Sequence, residues 1–267
     1  MVNKVKMRSW RFIDSPAASA QWNMAVDEAL LYTFKEEDLP ILRLYKWKKP
    51  SLSFGRFSKP KETLDWEKIR TEDIPYVRRI TGGGILVHSN DISYSLIVPR
   101  SFIKNKGVKE GYRELCAFLI RLYENLGINA DFAYDLQLPQ SQSPVCLAGT
   151  EAYDIMTDGR KIGGNAQRHT HHALLQHGTI PLTIDHERFE KLFLGDSGLS
   201  EAATLKETNS RLTAAALKKE IIKAFSDIFD TIITEEPLRD EEQILAQKLF
   251  DKKYSQERWN VHAEHNL

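Results

Sequence analysis

Strand-like and helix-like stretches do not alternate along this chain, and that limits the folds open to it. Residues 10–14, 41–47, 51–55, 76–79, 85–88, 92–98, 152–156, 161–162 and 173–182 read as short strands rich in branched and aromatic residues. Helical periodicity is confined to residues 22–34, 64–70, 107–126, 186–194, 212–229 and 238–250. Strands dominate the middle and helices lie toward both ends. A regular βαβ succession would predict a parallel doubly wound sheet. This order predicts an α+β fold instead, with mixed or antiparallel sheets flanked by helices. In the first helix Trp22, Ala25, Val26, Ala29, Leu30 and Phe34 recur at three- and four-residue steps. Asp27 and Glu28 are expected on its opposite face, and Ser19 is expected to cap it.

At 267 residues, with 42% apolar and 28% charged content, the chain can bury a sizeable core. Its 37 basic and 37 acidic residues cancel, leaving no electrostatic footprint for nucleic acid or an anionic membrane. No apolar run reaches the length of a membrane span, and the N-terminus lacks the apolar core of a signal peptide. A cytoplasmic location is expected.

Two cysteines cannot make a disulfide framework. Cys116 sits at an apolar position of the 107–126 helix and reads as a small buried hydrophobe. Cys146 sits beside Pro144 in a loop. Fifteen residues on, Lys161 leads into Gly163 and Gly164 within GRKIGGNAQR. A cation close to a thiol favours the thiolate, which attacks thioesters and yields another thioester. An amine can then take the acyl group as an amide. Cysteine plus lysine therefore suits acyl transfer, although a surface lysine after a hairpin turn fits the same residues.

Arg78 and Arg79 precede Gly82, Gly83 and Gly84. Such a turn lets a ligand lie against main-chain N–H groups, with an arginine fork beside it. A plain flexible turn reads equally well from these residues, and the usual nucleotide motifs are absent. His88 and His177 each adjoin a strand. His169, His171 and His172 resemble a metal tract, but no partner cluster follows at zinc spacing, so a solvated loop is expected and no metal site.

RRITGGGILVH, GRKIGGNAQR and QHGTI, in this order, resemble the signature segments of the biotin/lipoate protein ligase family. WRFID, NMAVDEALL, LRLYKW, PSLSFG and FDKKYSQERWN extend the resemblance over nearly the whole chain. It implies that family's catalytic-domain fold as one domain over residues 1–267, with a helical C-terminal segment from about 212 to 260 and no accessory domain. VCLAGTEAYDI ahead of the lysine motif resembles the family's octanoyltransferases, in which a loop cysteine carries the acyl group. Residue by residue, this implies Cys146 as nucleophile and Lys161 as its supporting cation. Arg78, Gly82, Gly83, Gly84, His88, Gly163, Gly164, Ala166 and His177 are then expected to bind substrate. The implied donor is octanoyl-acyl carrier protein. The implied acceptors are lipoyl domains of 2-oxoacid dehydrogenases or glycine cleavage H protein, with no cofactor.

Two features depart from that pattern. Ser89 follows His88 where the family usually carries Asp, with Asp91 two residues further on. The glycine triplet is unbroken, as in the ATP-using lipoate ligases, which would need ATP and magnesium and leave Cys146 incidental. An amidotransferase between carrier proteins and a non-catalytic acyl-carrier binding module are the remaining alternatives.

Overall fold

A computed structural model describes residues 9–103, 107–140, 149 and 151–264. Strand β1 (Ser9–Asp14) runs into helix α1 (Ala20–Thr33), which is followed by β2 (Ile41–Tyr45) and β3 (Ser51–Phe54). Two short helices, α2 (Pro60–Thr63) and α3 (Trp66–Thr71), lead to β4 (Tyr76–Arg78), β5 (Ile85–His88) and β6 (Asn90–Pro99). Helix α4 (Val108–Asn125) precedes β7 (Asp131–Phe132), β8 (Ile155–Thr157), β9 (Arg160–Lys161), β10 (Gly164–His169) and β11 (Ala173–Thr183). The chain ends through α5 (His186–Glu190), α6 (Leu205–Thr208), α7 (Ala214–Phe229), β12 (Ile232–Glu235), α8 (Asp240–Leu249), a π turn and α9 (Glu257–Asn260).

The main sheet has the order β10-β11-β6-β2-β1-β12. Its β10, β11, β6 and β2 pairings are antiparallel, whereas β1 is parallel to both β2 and β12. Two three-stranded sheets, β4-β3-β5 and β7-β8-β9, complete the α+β architecture that the segment order predicts. One face of the main sheet packs with α4 and α7 around Trp10, Phe118, Tyr123 and Phe225. The other face packs under α1 and α8 around Met24, Leu30, Tyr254 and Trp259. A third core joins the β4-β3-β5 sheet to the short helices through Leu52, Phe54, Phe189 and Leu192.

Local signals explain several boundaries. The Ser19 side chain accepts from the Trp22 amide and caps α1, and Thr213 caps α7 through the Ala216 amide. Asp158 and Gly159 both have positive φ, 48° and 76°, and join β8 to β9 in a two-residue hairpin, the backbone that an Asp-Gly pair favours. Helix α1 corrects one expectation. Asp27 and Glu28 do not face solvent but are 1% and 3% exposed. Distant segments neutralise them: Arg43 reaches Asp27 at 2.6 Å, and Lys253 and Tyr254 reach Glu28 at 2.7 and 2.5 Å. Strand β10 is a further departure, because its GNAQRH composition lacks strand-forming alternation. It is held as an edge strand by β11. Among the described residues, no helix is long and apolar enough to cross a membrane.

Candidate active site

The register of the main sheet sets up two parallel rows of side chains beneath α1. Ala166, His177, Ser95 and Arg43 are successive cross-strand neighbours on β10, β11, β6 and β2. Gly164, Thr179, Ser93 and Tyr45 form the next row, two residues along and on the same face. A carboxylate organises each row. Asp27 comes down from α1 and accepts from Arg43 (2.6 Å), Ser95 (2.6 Å), His177 Nδ1 (2.9 Å) and Tyr45 (3.3 Å). Burial opposes its charge, but Arg43 and His177 outweigh that and hold the Asp27 carboxyl below its ordinary pKa. Asp91 accepts from Thr179 (2.6 Å), Ser93 (3.0 Å) and His88 Nδ1 (3.1 Å).

Each histidine therefore presents Nδ1–H to a carboxylate and turns Nε2 to a hydroxyl. Thr81 Oγ1 lies 2.7 Å from His177 Nε2, and Ser53 Oγ lies 2.7 Å from His88 Nε2. Burial, more than the raising effect of Asp91, lowers the His88 pKa and keeps the ring neutral. Its ring stacks on Trp47 at 3.7 Å, and the indole N–H donates to Ser93 at 2.9 Å. Asp91 thus reaches back three residues to hold this ring.

A narrow cleft lies over these rows, between the main sheet and β3 and β5. Its walls include Met24, Tyr45, Trp47 and Leu86, and its floor is formed by Gly164, Asn165, Ala166 and Gly178. The polar groups in the walls are largely paired with one another. That leaves apolar surface and main chain to meet a ligand, as an acyl chain requires. A Cβ on Gly178 would come within 2.0 Å of Asn165 Oδ1 and 2.8 Å of the Gly164 carbonyl, so only glycine lets β10 lie this close.

Of the residues expected to bind substrate, His88, Gly164, Ala166 and His177 line this cleft. Gly163 precedes its floor with φ 82°. Gly82 and Gly84 accept from Arg79 through their carbonyls at 3.2 and 3.0 Å, and the Gly83 carbonyl lies where a Cβ on Gly55 would sit. Arg79, not Arg78, lines the cleft. The Arg78 guanidinium donates to the carbonyls of Gly55, Arg56, Ser58, Trp259, Asn260 and Val261, tying the C-terminal segment to the β3 loop. The resemblance implied Arg78; the strand ends at that residue, and Arg79, the next residue, is the one that turns to Ser53 and the glycine carbonyls.

Lys161 is buried at the end of β9. Its ammonium lies 2.6 Å from the buried Asp154 carboxylate and 3.3 Å from the Gly149 carbonyl. Cys146 lies outside the described residues. Cys116 is buried as expected, and burial pushes its thiol up to about 12, which leaves it unreactive at neutral pH. His169 ends β10 and meets Gln167 and Arg100, and no group of three or more metal-ligating side chains occurs among the described residues. Asp27, Trp47, Arg79, Asn165 and Gly178 lie inside the segments that carry the resemblance but were not among the residues expected to bind substrate; of the five, only Arg79 was read as a group that could face a ligand.

Residues 19–226 match the family model of the lipoyl protein ligase A/B catalytic domain. This chain belongs to that family. Relatives in the lipoyl protein ligase A/B family include the octanoyltransferase LipM of Bacillus subtilis (strain 168), 33% identical over 277 residues, covering 96% of this chain and 99% of the relative. LipM of Geobacillus kaustophilus (strain HTA426) is 33% identical over 272 residues, covering 94% and 97%. The same family fold is seen in a lipoate-protein ligase A bound with ATP, at TM-score 0.81 and 24% identity, covering 95% of this chain and 98% of that one. It is seen again in a T. acidophilum putative lipoate protein ligase with bound lipoic acid, at TM-score 0.80 and 24% identity, covering 95% and 99%. At these identities the two structures establish the fold.

Proposed function

We propose that this chain is an octanoyltransferase. It takes the octanoyl group of octanoyl-acyl carrier protein onto Cys146 as a thioester and passes it to a lysine of a lipoyl domain or of glycine cleavage H protein. The observation that carries this reading is the placement of Lys161. Its buried ammonium stands three residues ahead of the cleft-lining strand β10, within 3.3 Å of the carbonyl of Gly149, which follows Cys146 by three residues in sequence. The LipM relatives, similar along nearly their full length, support the same reading.

The steps balance without a cofactor. In this reading Lys161 is the cation that favours the Cys146 thiolate, which attacks the donor's carbonyl carbon; a new C–S bond forms and the carrier's thiolate leaves and takes up a proton. The acceptor amine then attacks the enzyme thioester. A C–N bond forms, the C–S bond breaks, and the amine's proton passes to the departing Cys146 sulfur. Exchange of one thioester for another is nearly neutral in energy, whereas amide formation pulls the sequence forward.

The unbroken run of Gly82, Gly83 and Gly84 favours a second reading, an ATP-dependent lipoate–protein ligase in which Lys161 faces an acyl-adenylate phosphate. Intact mass after incubation with octanoyl-acyl carrier protein, without ATP, separates the two. The proposal expects a gain of one octanoyl group that disappears in Cys146→Ala. Full activity of Cys146→Ala, dependent on ATP and magnesium, overturns it in favour of the ligase.

A further inference from the structure

Among the described residues, the loop after β3 carries the most exposed aromatic side chain, Phe57 at 81%, beside Arg56, which has no carboxylate partner among them. The loop is bonded to the segment that leads into the cleft. The Gly55 amide donates to the Gly84 carbonyl at 3.1 Å, and the Arg56 amide donates to the Thr81 carbonyl at 2.8 Å. Thr81 in turn bonds His177 in the cleft wall. Ser53, three residues before Arg56, lines the cleft directly. What surrounds the Phe57 ring is therefore what a macromolecule meets when it brings a group to the cleft.

The charge there is positive. The Arg56 guanidinium lies 4.9 Å from the Trp259 ring centroid and 5.9 Å from that of Phe57. The Lys253 ammonium lies 4.1 Å from the same Trp259 ring. Arg168 is exposed on β10, two residues beyond the cleft-lining Ala166 and on the same strand face. Burial lowers the Lys253 pKa; Glu28 opposes that, and Arg56 and Arg168 each add to the lowering. Glu28 matches Lys253, and Arg56 and Arg168 have no ion-pair partner among the described residues. A chain whose formal charges cancel overall thus leaves two guanidinium groups without an ion-pair partner among the described residues, one on the loop after β3 and one on the strand that lines the cleft.

We infer that Phe57, Arg56 and Arg168 form the docking surface for the donor: an acidic carrier protein that presents its acyl group on a thioester-bearing arm. This rests on the transferase reading. The chemistry selects such a partner. Guanidinium groups without an ion-pair partner among the described residues are suited to clustered carboxylates, and the exposed Phe57 ring beside Arg56 supplies the apolar anchor typical of interface centres. A small thioester has no surface to place on Phe57 and gains nothing from it. The acceptor domain must also approach the cleft, and the experiment distinguishes it from the donor.

The test compares wild type with Arg56→Glu and Phe57→Ala, each checked for an unchanged melting temperature. Donors are octanoyl-acyl carrier protein and octanoyl-pantetheine, which lacks both protein and phosphate. Arg56→Glu is expected to raise KM for the carrier donor about tenfold and to flatten its salt dependence. Phe57→Ala is expected to raise it several-fold. KM for octanoyl-pantetheine and for the acceptor domain should stay within about twofold of wild type. Equal losses with both donors, or a change confined to the acceptor, overturns the inference. Titration calorimetry of unacylated carrier protein needs no chemistry. Binding that weakens in both variants supports the docking surface even if acyl transfer proves absent, in which case the transferase reading alone fails. Binding that is absent in wild type or unaltered in the variants overturns the docking surface.

Discussion

Asp27 Oδ2 lies 2.9 Å from His177 Nδ1, a hydrogen bond between residues 150 positions apart that fastens helix α1 to the strand in the cleft wall. The same carboxylate neutralises Arg43, itself 1% exposed. Asp27→Asn keeps the shape and leaves the guanidinium buried without its counter-charge. A loss of about 3–5 kcal/mol in urea-induced unfolding is expected. Transfer should fall with it, because His177 loses the acceptor that fixes its ring.

His88 makes stability depend on pH. Its folded pKa is depressed below the ordinary 6.5 by burial, so below that value the unfolded chain binds more protons than the folded one. Stability from this residue is complete above pH 6.5 and falls as the pH drops toward the folded pKa. Denaturant midpoints measured across that interval should fall faster in wild type than in His88→Gln. Parallel curves would assign the acid sensitivity to other groups.

Lys161 and Asp154 allow the structural and chemical roles of one cation to be separated. Lys161→Met strands a buried carboxylate and should lower both stability and acyl loading. Adding Asp154→Leu should restore most of the stability but none of the loading, with transfer still reduced about 100-fold or more. Recovery of transfer in the double variant would make Lys161 a purely structural cation.

Gly178→Ala should act through the backbone. The added methyl meets Asn165 Oδ1 at 2.0 Å and the Gly164 carbonyl at 2.8 Å, so the edge strand must move away from β11. The expected cost is about 1–3 kcal/mol, together with weakened binding of octanoic acid measured by calorimetry.

Arg78 is expected to govern the C-terminal segment and not substrate affinity. Arg78→Met removes the donors to the Trp259, Asn260 and Val261 carbonyls. Amide hydrogen exchange after residue 256 should accelerate well before global unfolding. Unaltered exchange there would show that other contacts hold the segment.

Much of the architecture is legible in the order of segments. Periodicity over α1 and α4, the Asp-Gly turn and the Ser19 cap are local signals, and local physics enforces them. Strand β10 was not legible as a strand, because GNAQRH carries no alternation and its pairing with β11 is a long-range effect. The buried position of Glu28 could not be read either, since its partners Lys253 and Tyr254 lie 225 and 226 residues away.

By itself the sequence determined the fold class, the family resemblance and the candidate pair Cys146 and Lys161, because residue type, spacing and short-range periodicity carry those properties. Only the tertiary structure decided which arginine faces the cleft and which carboxylates hold the two histidines, and it alone left Phe57 exposed beside Arg56. Burial and charge pairing are properties of three-dimensional neighbours. Arg78 and Arg79 are alike in chemistry and adjacent in the chain, yet one ties down the C-terminal segment and the other lines the site.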